Sequence, residues 1–250
     1  MFLPNPKDAL HKAELYRLLS AISDDVFLNQ NLMFKGGTCA SMQGYLNRFS
    51  VDLDFDLLDK NLFKSISQHL EKIFEKLELQ IKAKSVVIPQ YFLKYRAPEG
   101  SRNTIKIDMT FPAPKSNQYE PIRFRDIDRI IHCQTLATMV SNKLVATLDR
   151  WKKHHFIAGR DIYDIHYFLL NGYVYLPEII EERTNKKTVA YFKELIKFIE
   201  KHFNQKIIDQ DLNMLLEPAS FQRIRKTLKH EVLIFLRDEL LRKKPTKNTL

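Results

Sequence analysis

The sequence predicts an α+β chain, with an α/β N-terminal half over about residues 1–125 and an all-helical C-terminal half over about residues 126–250. Three observations carry this division. Residues 51–57 and 104–111 alternate strictly between apolar and polar, the period of a half-buried strand. From about residue 135 onward, apolar residues recur at helical spacing instead. Between the two regimes, Pro112 to Arg129 is rich in proline and charge, and forms the natural seam.

The elements follow in order. Leu10, Leu15, Leu18, Leu19 and Ile22 mark a helix over residues 8–22. An extended stretch at 31–35 meets Gly36-Gly37, and Thr38 is placed to cap a helix over about 38–46. Along 51–57, Val51, Leu53, Phe55 and Leu57 point one way and Asp52, Asp54 and Asp56 the other. Leu62, Phe63, Ile66, Leu70, Ile73, Phe74 and Leu77 stripe an amphipathic helix. Residues 79–88 and 90–96 read as strands, and Pro98 to Ser101 as a turn. In 104–111, Ile105, Ile107, Met109 and Phe111 oppose Lys106, Asp108 and Thr110. Further helices are expected around 136–147, 161–170, 187–203, 208–216 and 220–241.

Composition narrows the function classes. The 250 residues can bury one large core or two smaller ones. No apolar run approaches the ~18 residues of a membrane span, and no signal layout opens the chain, so a cytoplasmic protein without a membrane partner is expected. Cys39 and Cys133 are the only cysteines, which points to reduced structural thiols and excludes a cysteine-rich zinc site. The net charge of +10 favours a polyanionic partner, with nucleic acid first. Part of the excess gathers around the single Trp151, in Arg150, Lys152, Lys153, His154, His155 and Arg160. Trp151 reads as core ahead of a base-stacking platform, and the two histidines as surface residues or part of an RNA-facing edge. Arg242, Lys243, Lys244 and Lys247 read as a solvated tail.

The chemistry centres on Asp52 and Asp54. Carboxylates at i and i+2 of a strand share a face, about 6.6 Å apart. Two like charges about 4 Å apart repel by about 4 kcal/mol at an effective dielectric near 20. A divalent cation relieves that repulsion, and Mg²⁺ takes carboxylate oxygens while keeping waters for substrate phosphates. Two such ions can activate an attacking hydroxyl and stabilise a leaving pyrophosphate. The spacing alone is weak. With 30 acidic residues in 250, about three or four such pairs arise by chance. Asp126/Asp128 reads as a solvated cluster among Arg123, Arg125 and Arg129, and Asp209/Asp211 as acids near a helix start.

Context adds to the Asp52/Asp54 pair. Gly36-Gly37-Thr38 can bring bare backbone N–H groups to a phosphate, or be a tight turn with no ligand. Lys35 and Arg48 can add charge, and Ser50 can donate to a phosphate oxygen. Asp108 can supply a third carboxylate from its own strand, or be a solvent-facing edge residue. Lys143 shares a stripe with Met139, Val140 and Thr147, so it either snorkels from the core edge or faces something anionic. Asp161 and Asp164 lie a turn apart at a helix start, where the dipole favours acids.

Together these motifs resemble the AbiEii/AbiGii toxin family of nucleotidyltransferases, related to DNA polymerase β. The resemblance rests on Lys35-Gly36-Gly37-Thr38, Arg48-Phe49-Ser50-Val51-Asp52-Leu53-Asp54-Phe55, Lys106-Ile107-Asp108, Ser141-Asn142-Lys143-Leu144-Val145-Ala146 with Arg150, and Arg160-Asp161-Ile162-Tyr163-Asp164. It runs from about residue 32 to 170. It implies a nucleotidyltransferase-fold mixed sheet with flanking helices, followed by an all-α helical bundle. It implies an Mg²⁺-dependent toxin of a toxin–antitoxin or phage-defence pair, moving NMP from an NTP to RNA. The expected acceptor is the tRNA 3′ end, so that translation and growth stop. Asp52, Asp54 and Asp108 would hold the metal, with Asp108 as third ligand or base. Lys143, from the C-terminal half, would contact NTP phosphates, and Asp161 would support catalysis or orient that lysine. Lys35, Gly36, Gly37, Thr38, Arg48 and Ser50 would line the nucleotide. Asp56 reads as peripheral, and Asp164 is left without a role. A cognate antitoxin is the implied partner, and a monomer is slightly favoured over an oligomer. The alternatives are transfer to a protein hydroxyl or a small molecule, and an inactive binding subunit. No motif reports the preferred base.

Overall fold

A computed structural model describes the chain except Phe2, Val86 and residues 243–250. Lys243, Lys244 and Lys247 of the expected tail therefore lie outside the described residues. The chain divides into two units, Met1–Thr135 and Leu136–Leu250.

The first unit is built on a seven-stranded mixed sheet. In chain order its strands are β1 (Leu32–Lys35), β2 (Asp52–Leu57), β3 (Gln80–Ser85), β4 (Gln90–Lys94), β5 (Thr104–Thr110), β6 (Tyr119–Phe124) and β7 (Arg129–Gln134). Their order across the sheet is β3-β4-β5-β2-β1-β7-β6. β2 runs parallel to β5 and antiparallel to β1, while β7 runs parallel to β1. The helices are α1 (Ala9–Asp24), α2 (Val26–Asn31), α3 (Gly36–Met42) and α4 (Phe63–Lys76). α1 turns Leu15, Leu18, Leu19 and Ile22 inward, and α4 turns Ile66, Leu70 and Phe74. The strands contribute Leu53, Phe55, Leu57, Ile105 and Ile107 to the buried set. Each such side chain removed from water contributes roughly 1.5–3 kcal/mol, which pins the sheet register: a slip of one residue would turn Asp52 and Asp54 to the apolar face instead.

The boundary falls ten residues later than the sequence suggests. The proline and charge of 112–129 read as a seam, yet β6 and β7 form a hairpin whose second strand pairs with β1. Pro121 sits in the edge strand β6, where a missing N–H is tolerated. Two further helical expectations are corrected. Thr38 lies inside α3, whose N-cap is Lys35, so its hydroxyl is used elsewhere. Asp209 and Asp211 lie in the last turn of their helix, because Asn204 caps it earlier by accepting from the Ile207 N–H.

The second unit is helical: α5 (Leu136–His154), α6 (Gly159–Leu170), α7 (Pro177–Thr184), α8 (Thr188–His202), α9 (Gln205–Leu212) and α10 (Pro218–Arg242). α5 packs on α6 and α7, and α10 on α6, α8 and α9. Asp211 accepts from the Gly159 N–H at 2.6 Å, satisfying a first-turn donor of α6. Among the described residues no helix is long and apolar enough to cross a membrane.

Candidate active site

β2 lies between β1 and β5, so its polar face is flanked on both sides. The register places Asp54 beside Asp108 on β5 and beside Lys35 on β1, and Asp52 beside Lys106. The carboxylates of separate sequence motifs are thereby neighbours across one parallel pair. Asp108 is part-exposed, accepts from Gln90 Nε2 at 2.8 Å and is ion-paired with Lys106.

Asp56 stands apart from Asp52 and Asp54. It is fully buried, and donors from several segments converge on it. Lys35 Nζ lies 2.6 Å from Oδ1. Gln134 Nε2, Asn117 Nδ2 and the Tyr119 hydroxyl donate to Oδ2 at 2.6, 3.0 and 3.0 Å. Burial, with the Asp56 charge beside it, pushes the Tyr119 hydroxyl well above the ordinary tyrosine range, so it stays a donor. Asp56 is therefore a structural anchor outside the candidate metal-binding set: it ties β1, β6, β7 and the 111–118 loop to β2. Lys35 and Asp56 both belong to this internal bond network.

The Gly36-Gly37 turn is fitted to the same strand. Gly36 has φ +77°, and a Cβ there would stand 2.7 Å from Asp54 Oδ2. A Cβ on Gly37 would stand 2.4 Å from an Arg48 Nη atom. The two glycines thus allow close approach of backbone to carboxylate and to guanidinium. Arg48 is buried beneath the turn and donates to the Phe49 carbonyl at 3.0 Å. The Thr38 hydroxyl donates to the Asp52 carbonyl and lies 2.7 Å from the Ser50 hydroxyl. Thr38, Arg48 and Ser50 are brought together as the support of the turn and of the start of β2.

In the second unit, Lys143 Nζ lies 2.9 Å from Asp161 Oδ1 and 3.0 Å from Asp164 Oδ2. Arg150 Nε donates to Asp161 Oδ2 at 3.1 Å. Burial raises the Asp161 carboxyl, but Lys143 and Arg150 outweigh it and hold it well below the usual carboxylate range. Asp161 is therefore an anion in the interior. Asp164, also fully buried, is an equal partner of the lysine. Asp164, Asp56 and the donors Asn117, Tyr119 and Gln134 are what sequence reasoning missed. One signal existed: Asp56 shares the face of Asp52 and Asp54, so its carboxylate needed partners, and the seam held polar residues to supply them.

The donor chemistry of this face suits a hard divalent cation, since Asp52, Asp54 and Asp108 offer carboxylate oxygens from adjacent strands. As they stand, no three His, Cys, Asp or Glu side chains among the described residues gather closely enough to cage an ion. Asp108 itself is held by Lys106 and by Gln90 Nε2.

A mixed α+β sheet with paired aspartates on the central strand, a third on its parallel neighbour and a Gly-Gly turn against them defines a nucleotidyltransferase. The chain belongs to the AbiEii nucleotidyl transferase toxin family of type IV toxin–antitoxin systems, whose model matches residues 17–232. Membership brings an NTP substrate and an antitoxin partner. The fold resembles that of a Helicobacter pylori protein provisionally assigned as a nucleotidyltransferase, with TM-score 0.60 and 19% identity over 96% of this chain and 99% of that one. It also resembles JHP933 from Helicobacter pylori, with TM-score 0.59 and 17% identity over 96% of each chain. No curated protein matches the chain.

Proposed function

We propose that this nucleotidyltransferase moves NMP from an NTP to an RNA acceptor, the 3′ end of tRNA first, and so halts translation and growth in the cytoplasm. The observation that carries the catalytic part is the register pairing of Asp54 with Asp108 beside Gly36. The RNA acceptor is supported by the family resemblance and the +10 charge.

In this reading Asp52, Asp54 and Asp108 would hold Mg²⁺. The metal, as one or two ions, supplies charge stabilisation at the phosphates and a more acidic acceptor hydroxyl. The Gly36 and Gly37 backbone faces the phosphates, with Thr38, Arg48 and Ser50 fixing the turn and Lys35 held by Asp56. The acceptor oxygen attacks the α-phosphorus, its proton passes to Asp108, and pyrophosphate leaves. The family resemblance assigns Lys143 to the NTP phosphates, and within the second unit Asp161 and Asp164 hold its ammonium.

The test is incubation with total tRNA, Mg²⁺ and each labelled NTP in turn, with Asp54→Ala beside the wild type. Label is expected on tRNA, with Asp54→Ala slower by at least about a hundredfold and no longer slowing growth on expression. Label on protein alone would move the acceptor to a protein hydroxyl. Equal toxicity of the two forms would sink the catalytic reading.

A further inference from the structure

The second unit carries a basic surface outside the candidate active site. α5 ends in Lys152, Lys153 and His154, and α8 ends in Lys201 and His202. The two ends are side by side, because Trp151 packs between them. Its ring lies 4.7 Å from His202, 5.5 Å from Phe198 and 5.6 Å from His155. Just beyond, Phe156 is 51% exposed.

The helix dipole accounts for cations at each end singly. It does not account for two such ends meeting without a carboxylate. The nearby acids are engaged elsewhere: Asp149 with Arg183, Glu194 with Lys186 and Glu200 with Arg237. Lys152, Lys153 and Lys201 form no ion pair among the described residues. Residues 136–250 also carry 21 Lys and Arg against 14 Asp and Glu, so most of the net charge lies in this unit. An extended polyanion would relieve the repulsion, and a ring open to solvent beside the cations suits a partner that also carries unstacked bases.

We propose that Lys152, Lys153, Lys201 and Phe156 form a binding surface for single-stranded RNA, the lysines tracking phosphates and Phe156 stacking a base. This deepens the reading of RNA as acceptor and names the part of the second unit that holds it.

Trp151 is the only tryptophan and lies within the surface, so its fluorescence reports occupancy directly. The experiment titrates a short labelled single-stranded RNA into the full chain, reading anisotropy and tryptophan emission at several salt concentrations. Binding with a change in emission is expected. Lys152→Glu/Lys153→Glu/Lys201→Glu should weaken it at least about thirtyfold and flatten the log–log salt slope by about 2, at roughly 0.7 per lost contact. Phe156→Ala should cost about tenfold with the slope unchanged. The control Lys60→Glu/Lys64→Glu/Lys72→Glu removes the same charge from exposed positions of the first unit, and melting curves confirm that each variant is folded.

Equal weakening by the control, or RNA binding that leaves the emission unchanged, would overturn the proposal. So would polyglutamate binding as tightly as RNA, which would make the surface a general polyanion site. Transfer assays separate the two readings. RNA bound here but never labelled removes the acceptor reading and leaves the surface. tRNA labelled as fast by the triple variant as by the wild type does the reverse.

Discussion

Asp56→Ala tests how β2 is held in the sheet. The substitution deletes a fully buried carboxylate and leaves Lys35, whose side chain is 17% exposed, without the oxygen now 2.6 Å away. Breaking a buried ion pair from one side costs about 3–5 kcal/mol. Water reaching Lys35 argues for the lower end of that range. Buried Gln134 also loses its acceptor, at about 1 kcal/mol, whereas Asn117 keeps the Tyr119 hydroxyl and half-buried Tyr119 can turn to water. The expected loss is thus about 4 kcal/mol. For a chain of this size that is a fall of about 10 °C in the melting temperature, measured by calorimetry. Asp56→Asn keeps an acceptor but not the charge, so it should melt between the two. It should also show lower kcat at temperatures where it is folded, because Lys35 sits opposite Asp54 in the register and is released toward it. An Asp56→Ala protein melting within about 2 °C of the wild type would refute the account.

Three further outcomes are expected. Gly36→Ala places a Cβ 2.7 Å from Asp54 Oδ2 at φ +77°, a strain of about 1–2 kcal/mol. It should abolish transfer while the chain stays folded, and full activity would show that the close approach is not needed. Lys143→Met leaves Asp161 and Asp164 buried without their shared cation, so it should lose about 3–5 kcal/mol of stability as well as activity. Lys143→Met/Asp164→Asn should recover part of the stability but none of the turnover, and melting and kinetic assays separate the two. Burial lowers His11 and His166 below the ordinary value of 6.5, so the unfolded chain binds more protons as pH falls below that value. Stability is full above about pH 6.5 and declines toward the lowered folded values; a melting temperature that held steady down to pH 5.5 would contradict this.

Much of the active strand was legible because its signal is local. Strict alternation at 51–57 and 104–111 defined two half-buried strands, and the side-chain period of two put Asp52, Asp54 and Asp56 on one face. The glycine pair marked the turn, since Gly36 at φ +77° adopts a backbone other residues resist. Helical spacing likewise located α1, α4 and most of the second unit.

What the sequence by itself determined, then, is which residues share a face within one element. Pairing between elements was decided only by the tertiary structure. No local pattern says that β5 lies beside β2 in a register setting Asp108 against Asp54, or that β7 joins β1. The boundary was misplaced for this reason: a charged, proline-bearing hairpin reads as a linker until its pairing with the sheet is seen. The same holds for Asp56, which has the chemistry and spacing of its two neighbours along the strand. Its burial and donors come from Lys35, Asn117, Tyr119 and Gln134, one on the preceding strand and the others about sixty to eighty residues further on. Carboxylates of one local pattern therefore acquire different work, because solvent exposure and hydrogen-bond partners belong to the packed sheet and not to the strand.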